Sequence, residues 1–107
     1  MSKGLGRPAG APMGMLQQLQ RLQQQIAEAQ ERLAQETVTA SAGGGAVKVT
    51  MSGDLRCQAV EIDPALLNGA EVEMMQDLVL TAVNLALEKA RLLQQQQLGP
   101  LVGGLPV

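Results

Sequence analysis

The chain has 107 residues, a net charge of −2, no histidine, a single cysteine and no Phe, Trp or Tyr. That inventory excludes an intramolecular disulfide, a tetrahedral zinc site and any chemistry that turns on an imidazole base. It allows one thin domain whose core is built from Leu, Val, Ile, Met and Ala, without the roughly 150–250 Å² that each aromatic ring would bury. Such a core is readily completed against a second copy. No apolar run approaches the roughly 18 residues of a membrane span. The first residues, MSKGLGRPAGAPMGM, lack the apolar stretch of a secretory signal peptide. We expect a soluble protein of a reducing cytoplasm, with Cys57 packed as a small hydrophobe in a strand. No cofactor, metal, membrane or small-molecule substrate is expected, and an enzyme is improbable on these residues.

Residues 1–12 are rich in Gly and Pro and read as a flexible N-terminal segment. From Met13 to Gln35 the pattern predicts a helix. Met15, Leu19, Leu22, Ile26, Ala29 and Leu33 recur at spacings of three and four, among uncharged, helix-favouring glutamines. The stripe lasts about three heptads, so it fits packing against its own sheet as well as against a partner helix. Glu36–Ala42 carries the β-branched run Thr37, Val38 and Thr39 and predicts a first strand. Gly43, Gly44 and Gly45 then read as a hairpin connection; no Lys-Ser/Thr follows to make them a phosphate loop.

The stretch Ala46–Leu67, AVKVTMSGDLRCQAVEIDPALL, is the most informative. Val47, Val49 and Met51 alternate with Lys48, Thr50 and Ser52, the period of a half-buried strand. Gly53-Asp54 predicts a turn, glycine being free to take backbone angles closed to other residues. Along Leu55–Ile62 the alternation changes phase, which either a β-bulge near Ala59 or burial of both faces would explain. Three strands joined by short turns make an antiparallel meander. Asp63-Pro64 offers a capping carboxylate before a proline at the first helical position.

After Asn68-Gly69 a second helix is expected, with Glu71, Glu73 and Asp77 near its start and Lys89 and Arg91 towards its end, each sign where the helix dipole favours it. It is apolar on two rows: Met75, Leu78, Ala82 and Leu85 on one, and Val79, Val83, Ala86, Ala90 and Leu93 on the other. We assign the first to the sheet and place Val79, Val83, Ala86 and Ala90 at a dimer interface. A monomer whose first helix covers the second row is the alternative. Leu98-Gly99-Pro100 is expected to stop this helix, leaving 99–107 as a flexible tail. Helices of about 23 and 28 residues span roughly 35 and 42 Å. Strands of about seven residues reach only some 23 Å, so the helices should project beyond the sheet.

This order of pieces, VKVTMSG, then VEIDPALL, then DLVLTAVNLALEKA, resembles the YbaB/EbfC family of bacterial nucleoid-associated proteins over residues 13–98. The resemblance implies an α+β fold in which a three-stranded antiparallel meander is flanked by a long N-terminal and a long C-terminal helix. It further implies a homodimer with projecting, pincer-like helical arms that binds double-stranded DNA in the nucleoid and affects DNA organisation and gene expression. Asn84 coincides with an Asn of the family's helix and is given no DNA contact; it either fixes helix register or faces solvent.

The charges are compatible with that. Before Glu28 there are Lys3, Arg7 and Arg21 and no acid, and after Glu88 there are Lys89 and Arg91 and again no acid. If the helices run antiparallel, both basic ends collect on one arm, and these five cations are the candidate phosphate contacts. Gln17, Gln18, Gln20, Gln94, Gln95 and Gln96 can add hydrogen bonds. Without aromatics to stack on bases, single-stranded nucleic acid is a poor partner. The rival reading is a homodimeric protein-interaction module that uses the heptad and Gln-rich helices without DNA.

Overall fold

The computed structural model describes residues 13–69 and 71–102; Lys3, Arg7 and the expected N-terminal segment lie outside it. Its elements are helix α1 (Met13–Gln35), strands β1 (Thr37–Ala42), β2 (Val47–Ser52) and β3 (Cys57–Ile62), a single 3-10 turn (Pro64–Leu67), and helix α2 (Val72–Val102). The strands pair antiparallel in the order β1-β2-β3. The α+β meander between two long helices is therefore as expected.

α1 has the expected bounds, and its stripe divides into two parts. Ala29 and Leu33 are buried, Leu22 and Ile26 half-buried, whereas Met15 is 50% and Leu19 48% exposed. Only the last turns of α1 pack on the body.

The turn between β2 and β3 owes its shape to residues other than those the sequence pattern suggests. The positive φ falls on Leu55, at 67°, and Gly53 is not in that region. Gly53 is required for space instead: a Cβ there would stand 2.7 Å from the Leu33 carbonyl oxygen. Ser52, fully buried, ties the turn together through its hydroxyl, which donates to Asp54 Oδ1 and accepts from the Arg56 N–H at 3.2 Å.

The phase change in β3 is a bulge. Thr50 faces Ala59 but Met51 faces Cys57, so Gln58 is the extra residue. All six residues of β3 are exposed, which removes two-sided burial as the explanation. Cys57 is exposed as well, contrary to its expected packing, because α2 lies over β1 and β2 rather than β3. Beyond β3, Asp63 accepts from the Ala65 N–H at 3.0 Å and Pro64 takes the first helical position, as its sequence implies.

The core lies between the sheet and α2. Ala40, Ala42, Val47, Val49 and Met51 meet Ala82, Ala86 and Ala90, with Leu78, Val79, Val83 and Leu87 packed around them. This corrects the division of α2 into rows. Ala86 and Ala90 are fully buried under their own sheet and offer nothing to a second copy, while Leu85, assigned to the sheet, is exposed. At 3.6 residues per turn the row nearest the sheet is 78-82-86-90, and alanines in its middle let the helix approach closely. Val79 and Val83 remain only half-buried on its flank. α2 also continues through Gly99 and Pro100 to Val102. A proline in the last turn costs the bond to a single carbonyl and has no later turn to disrupt. Asn84 is exposed.

Candidate nucleic-acid interface

α1 and α2 leave the sheet at the same end. α2 runs back along β1, with Lys89 Nζ donating to the Thr39 carbonyl (2.9 Å) and Gln97 Nε2 to Glu36 Oε2 (2.5 Å). Gln94 Nε2 also donates to the Gly53 carbonyl at 2.9 Å. These bonds fix the last third of α2 over the beginning of β1 and the β2–β3 turn. α1 enters from outside and docks there: Gln30 and Leu33 share a depression with Asp54, Gln94 and Leu98.

Beyond that junction α2 ends within about one turn and α1 continues outward alone. Gln30 is seventeen residues from Met13 and Leu98 only four from the end of α2. About 20 Å of α1 therefore extends beyond its neighbour. The residues from Met13 to Ala27 include six glutamines and one cation, Arg21, and no acid. Along this stretch every residue other than Leu22 and Ile26 is exposed. An exposed acid-free helix with amide donors on its surface is suited to lie against a polyanion.

The two basic ends are brought to one end of the molecule but not onto one surface patch. Arg21 lies nine residues outboard of Gln30, and Arg91 seven residues inboard of Leu98, so roughly 20–25 Å of helix separates them. Arg91 lies at the base of the arm, sharing a depression with Leu55, Gln94, Gln95 and Leu98. Lys89, although exposed, is committed to the Thr39 carbonyl over the sheet. Of the expected glutamines, Gln17, Gln18 and Gln20 are exposed on the arm and Gln95 and Gln96 at its base, whereas Gln94 is half-buried and bonded to Gly53. Sequence reasoning missed the anchoring roles of Lys89 and Gln94, because nothing in the pattern of α2 tells a tethered polar side chain from a free one. Among the described residues no cluster of His, Cys, Asp and Glu could hold a metal ion. Among the described residues no helix is long and apolar enough to cross a membrane.

Comparison with known proteins bears directly on this arrangement. The model of the YbaB/EbfC DNA-binding family matches residues 9–105. A nucleoid-associated protein of Streptomyces avermitilis is 48% identical over 91 residues, covering 85% of this chain and 80% of its own length. One from Mycolicibacterium vanbaalenii is 45% identical over 101 residues, 92% of each chain, and one from Pelotomaculum thermopropionicum is 44% identical over 93 residues, 87% of this chain and 89% of its own. The crystal structure of the uncharacterized protein HP0035 from Helicobacter pylori has the same fold, with a TM-score of 0.70 at 22% identity, covering 80% of this chain and 91% of that one.

Proposed function

Because the chain belongs to the YbaB/EbfC DNA-binding family, we propose that it is a nucleoid-associated protein that binds double-stranded DNA as a homodimer, through its α1 arms and with little preference for sequence. The observation that carries this reading is the arm itself. An isolated helix bearing Arg21 and exposed glutamines, with every acidic side chain confined to Glu28–Glu88, has phosphate contact as its simplest use. Arg91 is a second, separate candidate contact at the base of the arm, and Lys3 and Arg7, candidates from the sequence, lie outside the described residues. Lys89 contributes field rather than direct contact, since its ammonium is engaged by Thr39. Relatives named as nucleoid-associated proteins support a place in the nucleoid and an influence on DNA organisation and gene expression.

The net charge of −2 sets the character of the binding: weak and sensitive to salt. If about four to six phosphates are neutralised per dimer, the log–log salt slope is roughly −4 to −5. Titrating unlabelled duplex DNA at low and at moderate salt tests this by gel retardation. A retarded complex should form and fade as salt rises, and charge reversal at Arg21, Lys89 and Arg91 together should abolish it while the dimer persists. Undiminished retardation by the reversed protein would refute the assignment of the arms.

A further inference from the structure

Along its free length α1 carries two faces that are turned away from each other. Met15, Leu19, Leu22 and Ile26 continue the seam of Ala29 and Leu33 in alternating steps of four and three, a heptad repeat. Ala29 and Leu33 are buried on the body, while Met15 is 50% and Leu19 48% exposed. Among the described residues nothing covers the outer part of the seam, because α2 ends at Val102. At 100° per residue Arg21 lies about 130° round the helix from the middle of the seam, and Gln17 and Gln24 about 170°. A duplex held on the Arg21 face therefore leaves the seam free.

That seam suits a copy of itself. Its flanking positions, Leu16, Gln18, Gln23 and Gln25, are uncharged. Identical arms thus meet without like-charge repulsion, and Arg21 stays outside the contact. Direction follows from the inner residues. Ala29 and Leu33 belong to the same seam and pack on the body, so the seam is on the body side of α1. A parallel partner seated on it would place its own body where the first one already stands. An antiparallel partner puts the two bodies at opposite ends. Some 20 Å of each arm then overlaps, with Met15 opposite Ile26 and Leu19 opposite Leu22.

We propose that α1 arms of separate dimers zip together in antiparallel pairs through Met15, Leu19, Leu22 and Ile26, and so tie together the duplexes they hold. The proposal rests on the DNA-binding reading above and adds how one duplex is joined to another. About two heptads of seam fall short of the roughly three or four that sustain a coiled coil alone. Pairing is therefore conditional. Arms assemble where DNA concentrates them, and weak contacts repeated along two duplexes add up by avidity.

The test uses a biotinylated duplex on beads and a second, fluorescent duplex in solution, with the full chain added at low salt. The parent should bring the second duplex down. Met15→Gln combined with Leu19→Gln places helix-favouring, uncharged residues at exposed positions. It should lower that recovery about tenfold or more, with gel retardation of a single duplex and helix content by circular dichroism at the parent's level. In a Cys57→Ser background, chains with Leu19→Cys mixed with chains with Leu22→Cys should cross-link to each other under diamide on duplex DNA, in preference to their own kind. A parent that retards duplex but recovers none of the second leaves the seam to a helix of another protein, and overturns the proposal while DNA binding stands. An M15Q/L19Q protein that bridges like the parent, one that also loses retardation, or cross-linking of like with like would each overturn it too. A parent that retards no duplex at all refutes the DNA-binding reading and this proposal with it.

Discussion

Replacing Gly53 by alanine should destabilise the protein more than any other single methyl group added at a described glycine. The new Cβ would stand 2.7 Å from the Leu33 carbonyl oxygen, 2.8 Å from its Cδ2 and 3.1 Å from its Cα. The side-chain methyl can swing aside, but the oxygen and Cα belong to the last turns of α1, so α1 must shift relative to the β2–β3 turn. Overpacking of this kind costs about 1–3 kcal/mol, here at the upper end because backbone is opposed. Restricting the unfolded chain offsets up to ~1 kcal/mol, leaving a net loss of about 2 kcal/mol. For a domain of this size that lowers the thermal midpoint by roughly 8–16 °C. The assay is thermal unfolding followed by circular dichroism at fixed protein concentration, which holds association constant. Gly44→Ala is the control: its φ is +69° with nothing within 4 Å, so only the backbone conformation is disfavoured, at about 1 kcal/mol. Leu33→Ala in the G53A background removes Cδ2 but not the oxygen, and should lower the midpoint further. A G53A protein that melts with the parent, or one rescued by L33A, would refute the idea that backbone contact at Gly53 seats the arm.

Arg21→Glu should weaken duplex binding and reduce the steepness of the salt dependence by about 2 per dimer, since each lost phosphate contact removes roughly 0.9 from the slope; an unchanged slope would remove Arg21 from the interface. Asp63→Ala deletes the carboxylate that accepts from Ala65, and should cost about 1 kcal/mol in a urea titration with the denaturant dependence unaltered. Ala86→Leu should lower stability by about 1–3 kcal/mol through overpacking between α2 and the sheet. Were A86L instead to melt normally and change only the mass in solution, Ala86 would belong at a subunit contact after all.

Much of the fold is written in local signals. The Met15–Leu33 stripe marks α1 to the residue, Val47-Val49-Met51 marks β2, and Asp63-Pro64 marks a capped turn, because each depends on near neighbours alone. The phase change in Leu55–Ile62 announces a bulge but not its position, since an extra residue shifts alternation equally wherever it is inserted. α2 was harder to read. It is apolar on several sides, and a large side chain such as Leu85 attracts a core assignment that the geometry awards to Ala86 and Ala90. Small residues are favoured where a helix lies close on a sheet, a requirement of three-dimensional approach and not of hydropathy. The charge asymmetry along the chain was legible, and so was the prospect that antiparallel helices would leave the sheet at one end. The separation of Arg21 from Arg91 was not, because it depends on where along α2 the first helix docks, and Gly53 and Leu33 decide that.

The Lys89–Thr39 bond has a consequence for solubility. The N–H of Gly53 donates to the Glu36 carbonyl at 2.9 Å, so Glu36 is turned towards β2 and alternation turns Thr39 outward, to the unpaired margin of β1. Unpaired margins recruit strands from other molecules and seed fibrous aggregates. An ammonium resting on the Thr39 carbonyl occupies an acceptor that an incoming strand would need, and adds a charge such a strand would have to desolvate. A strand added along the β1 margin would first have to displace the Lys89 ammonium from the Thr39 carbonyl.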